Sequence, residues 1–234
     1  MLAAAVVPHP PLLVPALAAG TAPSTAPLLA ACDAGVADLV AHVPETVVCI
    51  GTGARTTRHR TGAWGTFAGF GAAVDAPARH HDGLPHLPLS LTVARWLLDR
   101  VGWQGPVALQ EVAAHTEPEA CAALGARLAE EYGGRTAWLV AGDASTRRGE
   151  SSPGTHDSRA MDFDARVSYA LEVGDPSVLA SLDPALAAEL GASGRAAWQV
   201  LAGAVGERKV VRSLLRYDAA PHGVGYLAAG WWMH

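Results

Sequence analysis

Residues with chemistry to offer gather in three short stretches: AVVPHPPLLVP (5–15), GTGARTTRH (51–59) and GDASTRRGESSPGTH (142–156). In the first, His9 stands among Pro8, Pro10, Pro11 and Pro15. Prolines fix φ and remove backbone donors, so the segment reads as a rigid turn that aims the imidazole. The plainer alternative is a strand exit whose histidine is a bystander. In the second, Thr52 is followed by Gly53, Arg55, Arg58 and Arg60; in the third, Asp143 and Thr146 are followed by Arg147 and Arg148. Small hydroxyls, free backbone amides and guanidinium groups suit an anion, carboxylate or phosphate. The duller reading pairs these arginines with surface acids. His9, Thr52, Arg55, Asp143, Thr146 and Arg147 are the candidate ligand-binding residues.

Other chemistries have weaker sequence support. Ser145, His156 and Asp157 could form a hydrolytic set, but no G-x-S-x-G elbow accompanies them. Cys49 ends an apolar run and has no histidine near it in sequence, as expected of a structural thiol. GTGARTTR lacks the Gly-Lys-Ser/Thr ending of a phosphate-binding P-loop. His80, His81 and His86 form a local cluster that reads as a solvated loop, and Trp231 and Trp232 read as part of a final core strand.

These stretches need elements to hold them. Leu2 to Val7 is a strand-like apolar run, and a helical spacing follows from Leu28 to Val40. TVVCI (46–50) reads as a buried strand ending at Gly51. Residues 51–88 read as a long irregular insert with one short strand around GTFAGFG. A helix ending at Gly102, the strand PVALQEV, a helix to Tyr132 capped by Thr116 and Glu119, and the strand TAWLVAGD come next. A helix from Ser158 to Glu172 precedes two short ones, opened by Asp175-Pro176 and Asp183-Pro184 as N-cap and first helical residue. The helix AAWQVLAGAV and two closing strands, Val210 to Tyr217 and GVGYLAAGWW, complete the chain. Strands alternating with helices predict a three-layer α/β/α sandwich with a mixed, mostly parallel sheet, in a single domain over residues 1–234. In such sheets ligands gather at the carboxyl ends of parallel strands, which places His9, Thr52 and Thr146 at one mouth.

Composition narrows the class. The chain has 234 residues, half of them hydrophobic, which suffices for one large core. A net charge of -5, with Lys209 the only lysine, offers no basic stripe for nucleic acid. Three well-separated cysteines without a CxxC pair fit a reducing cytoplasm. The prolines near the start argue against an export signal, and no run reads as apolar enough to span a bilayer.

The opening VVPHPPLLVP, the stretch GDASTRRGESSPGTHDSRAMDFD (142–164), DPALAAELGASGRAAWQVLAGA and the terminal HGVGY resemble, in that order, the class III extradiol ring-cleavage dioxygenases of the LigB type and their Memo-like relatives. The resemblance implies an α/β/α fold. In active members it implies Fe(II) held by two histidines and a carboxylate, with a further histidine as acid/base. His9 matches the first metal histidine. Thr52 stands for the second, Thr146 for the acid/base histidine, and the neighbourhood of Gly194 offers no carboxylate, Glu189 being the nearest acid. Threonine and glycine cannot replace imidazole and carboxylate around ferrous iron. The expectation is a divergent, dioxygenase-like protein without the Fe(II) site or any other cofactor, binding a small anion, an aromatic acid or a partner in the old cleft. The alternative is an active Fe(II) ring-opening dioxygenase, with His59 and His156 as replacement ligands. No membrane partner is expected, and self-association is left open.

Overall fold

The computed structural model describes residues 1–18, 22–78, 83–150 and 152–233. Seven strands form the main sheet, in the order β3-β6-β2-β7-β1-β9-β8. The four central strands are parallel: β1 (Ala3–Val7), β2 (Thr46–Gly53), β6 (Val107–Ala113) and β7 (Thr136–Ala141). The short β3 (Thr57–His59) runs antiparallel to β6, and β8 (Val210–Ala219) and β9 (Tyr226–Met233) form an antiparallel pair beside β1. The remaining strands, β4 (Gly65–Thr66) and β5 (Asp75–Ala76), make a separate small ladder.

The central strands β1 and β7 and most of β2 are apolar on both faces, as a sheet covered on both sides requires, while β6 carries Gln110 and Glu111. Val48, Ile50, Trp138 and Val140 pack on one face beneath α4 (Pro118–Tyr132), α5 (Arg159–Val173) and α8 (Arg195–Val205). Val47, Cys49, Leu139 and Ala141 pack on the other beneath α2 (Ala22–Ala41) and α3 (Leu89–Arg100). The result is the expected α/β/α sandwich. Short α1 (Pro15–Ala18) follows β1, and α6 (Pro176–Ala180) and α7 (Pro184–Leu190) lead into α8. Asp175 and Asp183 cap the last two as read from sequence, accepting from the Ser177 and Leu186 amides.

Four expectations are corrected. The first long helix begins at Ala22, not Leu28, and contains Pro27. Its segment Ser24–Ala41 is long and apolar enough, by length and composition, to cross a membrane. Here Leu28, Cys32, Val36 and Leu39 turn inward to the second core, while Asp33 pairs with Arg100 and Asp38 with Arg216. Thr116 and Glu119 form no capping box: Glu117 takes the N-cap position without a side-chain cap, because Pro118 already opens the helix. The insert 51–88 carries the expected short strand, at Gly65–Thr66, but also β3 and β5, so it is less irregular than expected. The cluster residues His80 and His81 lie outside the described residues.

The 143–156 loop is anchored from below by Asp164, which accepts from the Ser145 amide and hydroxyl at 2.8 Å each. Burial pushes this carboxyl above its ordinary range, against the pull of Ser145 and Arg148. A raised carboxyl favours the folded state while protonated, and that advantage fades as pH rises from about 4. The wild type should therefore lose urea stability relative to Asp164→Asn between about pH 4 and pH 7. Paired denaturation midpoints at the two pH values measure it.

Candidate functional site

The four parallel strands deliver their carboxyl ends to one edge, and the sequence-selected residues follow them. His9 sits two residues beyond β1. Its amide is the only backbone donor from Pro8 to Pro11, and it donates to Asp143 Oδ1 at 2.7 Å. The His9 side chain is 10% exposed, with Nδ1 3.5 Å from the same oxygen and no hydrogen-bond partner. His9 and Asp143 are thus brought together across β1 and β7.

The others are not joined to that pair by any hydrogen bond. Thr52 continues the face of Val48 and Ile50 toward α8. Its hydroxyl is buried without a partner, while its carbonyl accepts from Ser90 at 2.7 Å. The Thr146 amide donates to Leu190 O at 2.9 Å, at the end of α7. Arg147 reaches Thr155 O in its own loop. Arg58 pairs with Glu131, and Arg148 lies beside Asp164 and Asp218; Arg147 lies near enough to Asp157 to help hold its carboxyl down, whereas the Arg55 guanidinium forms no ion pair among the described residues. Ser145 is engaged with Asp164 and Asp157 with Arg159, so no Ser-His-Asp set forms with the exposed His156.

Sequence reasoning missed a buried acid. Glu111 Oε2 lies 2.9 Å from His59 Nε2, with the two side chains 4% and 5% exposed. Glu111 Oε1 accepts from the Arg55 amide at 3.0 Å. Gly53 makes room for it, since a Cβ there would lie 2.6 Å from Glu111 Cδ. A charged residue inside the strand-like PVALQEV was the available signal. Across this edge the loop amides are thus satisfied by the protein's own carboxylates: Asp143 for His9, Glu111 for Arg55 and Asp164 for Ser145.

The positions that the resemblance equates with iron ligands hold one imidazole, one hydroxyl and one glycine. At Gly194 more than the carboxylate is missing. A Cβ there would lie 2.5 Å from Trp198 Cε2 and 2.7 Å from Cη2, so the indole has filled the space beside the backbone. Gly142 closes onto the same spot, its missing Cβ pointing at Gly194 Cα. His59 Nε2 is engaged with Glu111, and among the described residues no group of three His, Cys, Asp or Glu side chains is placed to hold a metal. These residues do not fit a ferrous centre.

No family model matches the chain. No curated protein matches it either. The crystal structure of the uncharacterized protein JW3007 from Escherichia coli K12 is similar to it, with a TM-score of 0.52 over 98% of this chain and 99% of that one. At 12% identity this is a likeness of fold.

The cysteines contribute no nucleophile. All three are fully buried; burial pushes Cys49 up to about 12 and raises Cys32 and Cys121 as well. Native protein at pH 8 should leave all three thiols unlabelled by iodoacetamide over the minutes in which urea-unfolded protein reacts fully, as intact-mass spectrometry reads directly. Beside Gly191, finally, lies a cavity of about 560 Å³ between α7, the start of α8 and the segment after β6, lined by Arg195 among others. None of the sequence-selected residues lines it.

Proposed function

We propose that the chain is a divergent relative of the class III extradiol dioxygenases that binds a small anionic ligand at the carboxyl edge of its sheet without Fe(II). The Trp198 ring in the place a carboxylate ligand would need is the observation that carries this reading. Further support comes from the single retained imidazole, already set against Asp143, and from the Arg55 guanidinium, which forms no ion pair among the described residues. Three buried, unlinked thiols suit a reducing, cytoplasmic setting.

The test is turnover. Protein reconstituted anaerobically with Fe(II), then given catechol and protocatechuate in air, should form no ring-opened product above the protein-free control. Ring-opened product at enzymatic rates that disappears in His9→Ala would establish the alternative, an oxygenase with replacement ligands.

A further inference from the structure

We propose that the cavity between α7, α8 and the segment after β6 binds a small monocarboxylic acid with an apolar body, its carboxylate held by Arg195. This deepens the metal-free reading, resting on it for the expectation of an anionic ligand and on separate residues for the site.

The first argument is charge. Arg195 is 3% exposed, yet every partner it has is neutral: Ala114 O, Thr116 O and Gln199 Oε1. Gln199 is held in turn by donating to Ala180 O and Leu182 O, which keeps its oxygen turned to the guanidinium. Among the described residues no Asp or Glu forms an ion pair with Arg195, whose three hydrogen bonds all go to uncharged oxygens. Burying a cation without counter-charge is expensive, and a bound carboxylate would supply that charge.

The helix adds to it. Arg195 opens the eleven-residue α8, whose N-terminus has Gly194 in the cap position and no side-chain cap. Ser193 and Ala196 from this turn line the same cavity. The Gly194 amide already donates to Asp143 O and the Arg195 amide to Ala192 O, so what this turn adds to the space beside Arg195 is the positive end of the helix dipole.

The cavity decides what else the ligand must be. About 560 Å³ is the size of a small-molecule site. Apart from Arg195 and Ser193, its walls are largely small and apolar, with Ala188, Ala192 and Ala196 among them. They offer a carboxylic acid's hydrocarbon part a dry surface and inorganic phosphate nothing. At the open side stand the exposed His115 and Glu117. Glu117 makes no ion pair with Arg195, and its carboxylate disfavours a second negative charge there, which selects a monoacid over a diacid.

Calorimetric titration of the whole chain with benzoate, hexanoate, benzyl alcohol and phosphate tests this. Saturable binding of benzoate or hexanoate at one per chain is expected, with no binding of benzyl alcohol or phosphate. Ala188→Trp, at an exposed position on the cavity wall, should fold with an unchanged melting temperature and bind at least about tenfold more weakly; Arg195→Gln should do the same if it folds. A purely clamping Arg195 would leave both acids unbound by wild type. That outcome, or phosphate binding alone, or equal binding by Ala188→Trp, overturns the proposal whether or not iron is ever found in the protein.

Discussion

Gly194→Glu is expected to lower stability by about 3 kcal/mol, at the upper end of overpacking penalties, and so to lower the melting temperature by roughly 6–12 °C. The first added atom is responsible. A Cβ at this position meets the ring of Trp198, which is fully buried and pinned between α8 and the end of β7. Gly194→Ala should therefore show a large part of the same loss, and the remainder in the glutamate variant reflects a carboxylate forced into an apolar setting. Urea denaturation of the three proteins separates the two contributions. If Gly194→Glu were as stable as wild type, the space beside residue 194 would be open, and the argument that the indole has replaced a metal ligand would fail.

Glu111→Ala should cost about 2–4 kcal/mol, the range for leaving buried hydrogen-bonding groups without their acceptor. The variant strands the His59 ring nitrogen, which Glu111 now satisfies where both side chains are nearly closed to water, and removes the acceptor of the Arg55 amide. Glu111→Gln retains an acceptor oxygen and should cost clearly less than the alanine variant. Equal losses in the two would mean that packing against Gly53, and not hydrogen bonding, is what the residue contributes. A loss under about 1 kcal/mol for alanine would show that this cluster is solvated and of no structural weight.

The layers of the fold were legible because their signals are local. Continuous apolar runs such as TVVCI and TAWLVA mark strands covered on both faces, and Asp-Pro pairs mark the starts of α6 and α7. The failures share a cause as well. β3 is a three-residue edge strand with no periodicity to read, so the pairing of His59 with Glu111 across β3 and β6 had no sequence signature. Arg195 lies in plain view in GASGRAAW, but its burial follows from α8 crossing the segment after β6, a tertiary fact. The Gly194–Trp198 contact was nearer to hand. Residues four apart share a helix face, and a glycine one turn before a tryptophan is room for its ring. Thr146 follows β7 on a loop as expected, whereas Thr52 lies inside β2, which runs two residues past the expected end at Gly51. Strand alternation then turns Thr52 toward α8, while Leu190 ties Thr146 to the end of α7, away from the His9–Asp143 pair.

The central claim is that this sheet edge cannot grip a divalent ion, and metal content measures it most directly. Protein incubated anaerobically with excess Fe(II), desalted and analysed by mass spectrometry of its metals should carry iron far below one per chain, unchanged in His9→Ala. One iron per chain that is lost in His9→Ala would contradict the account.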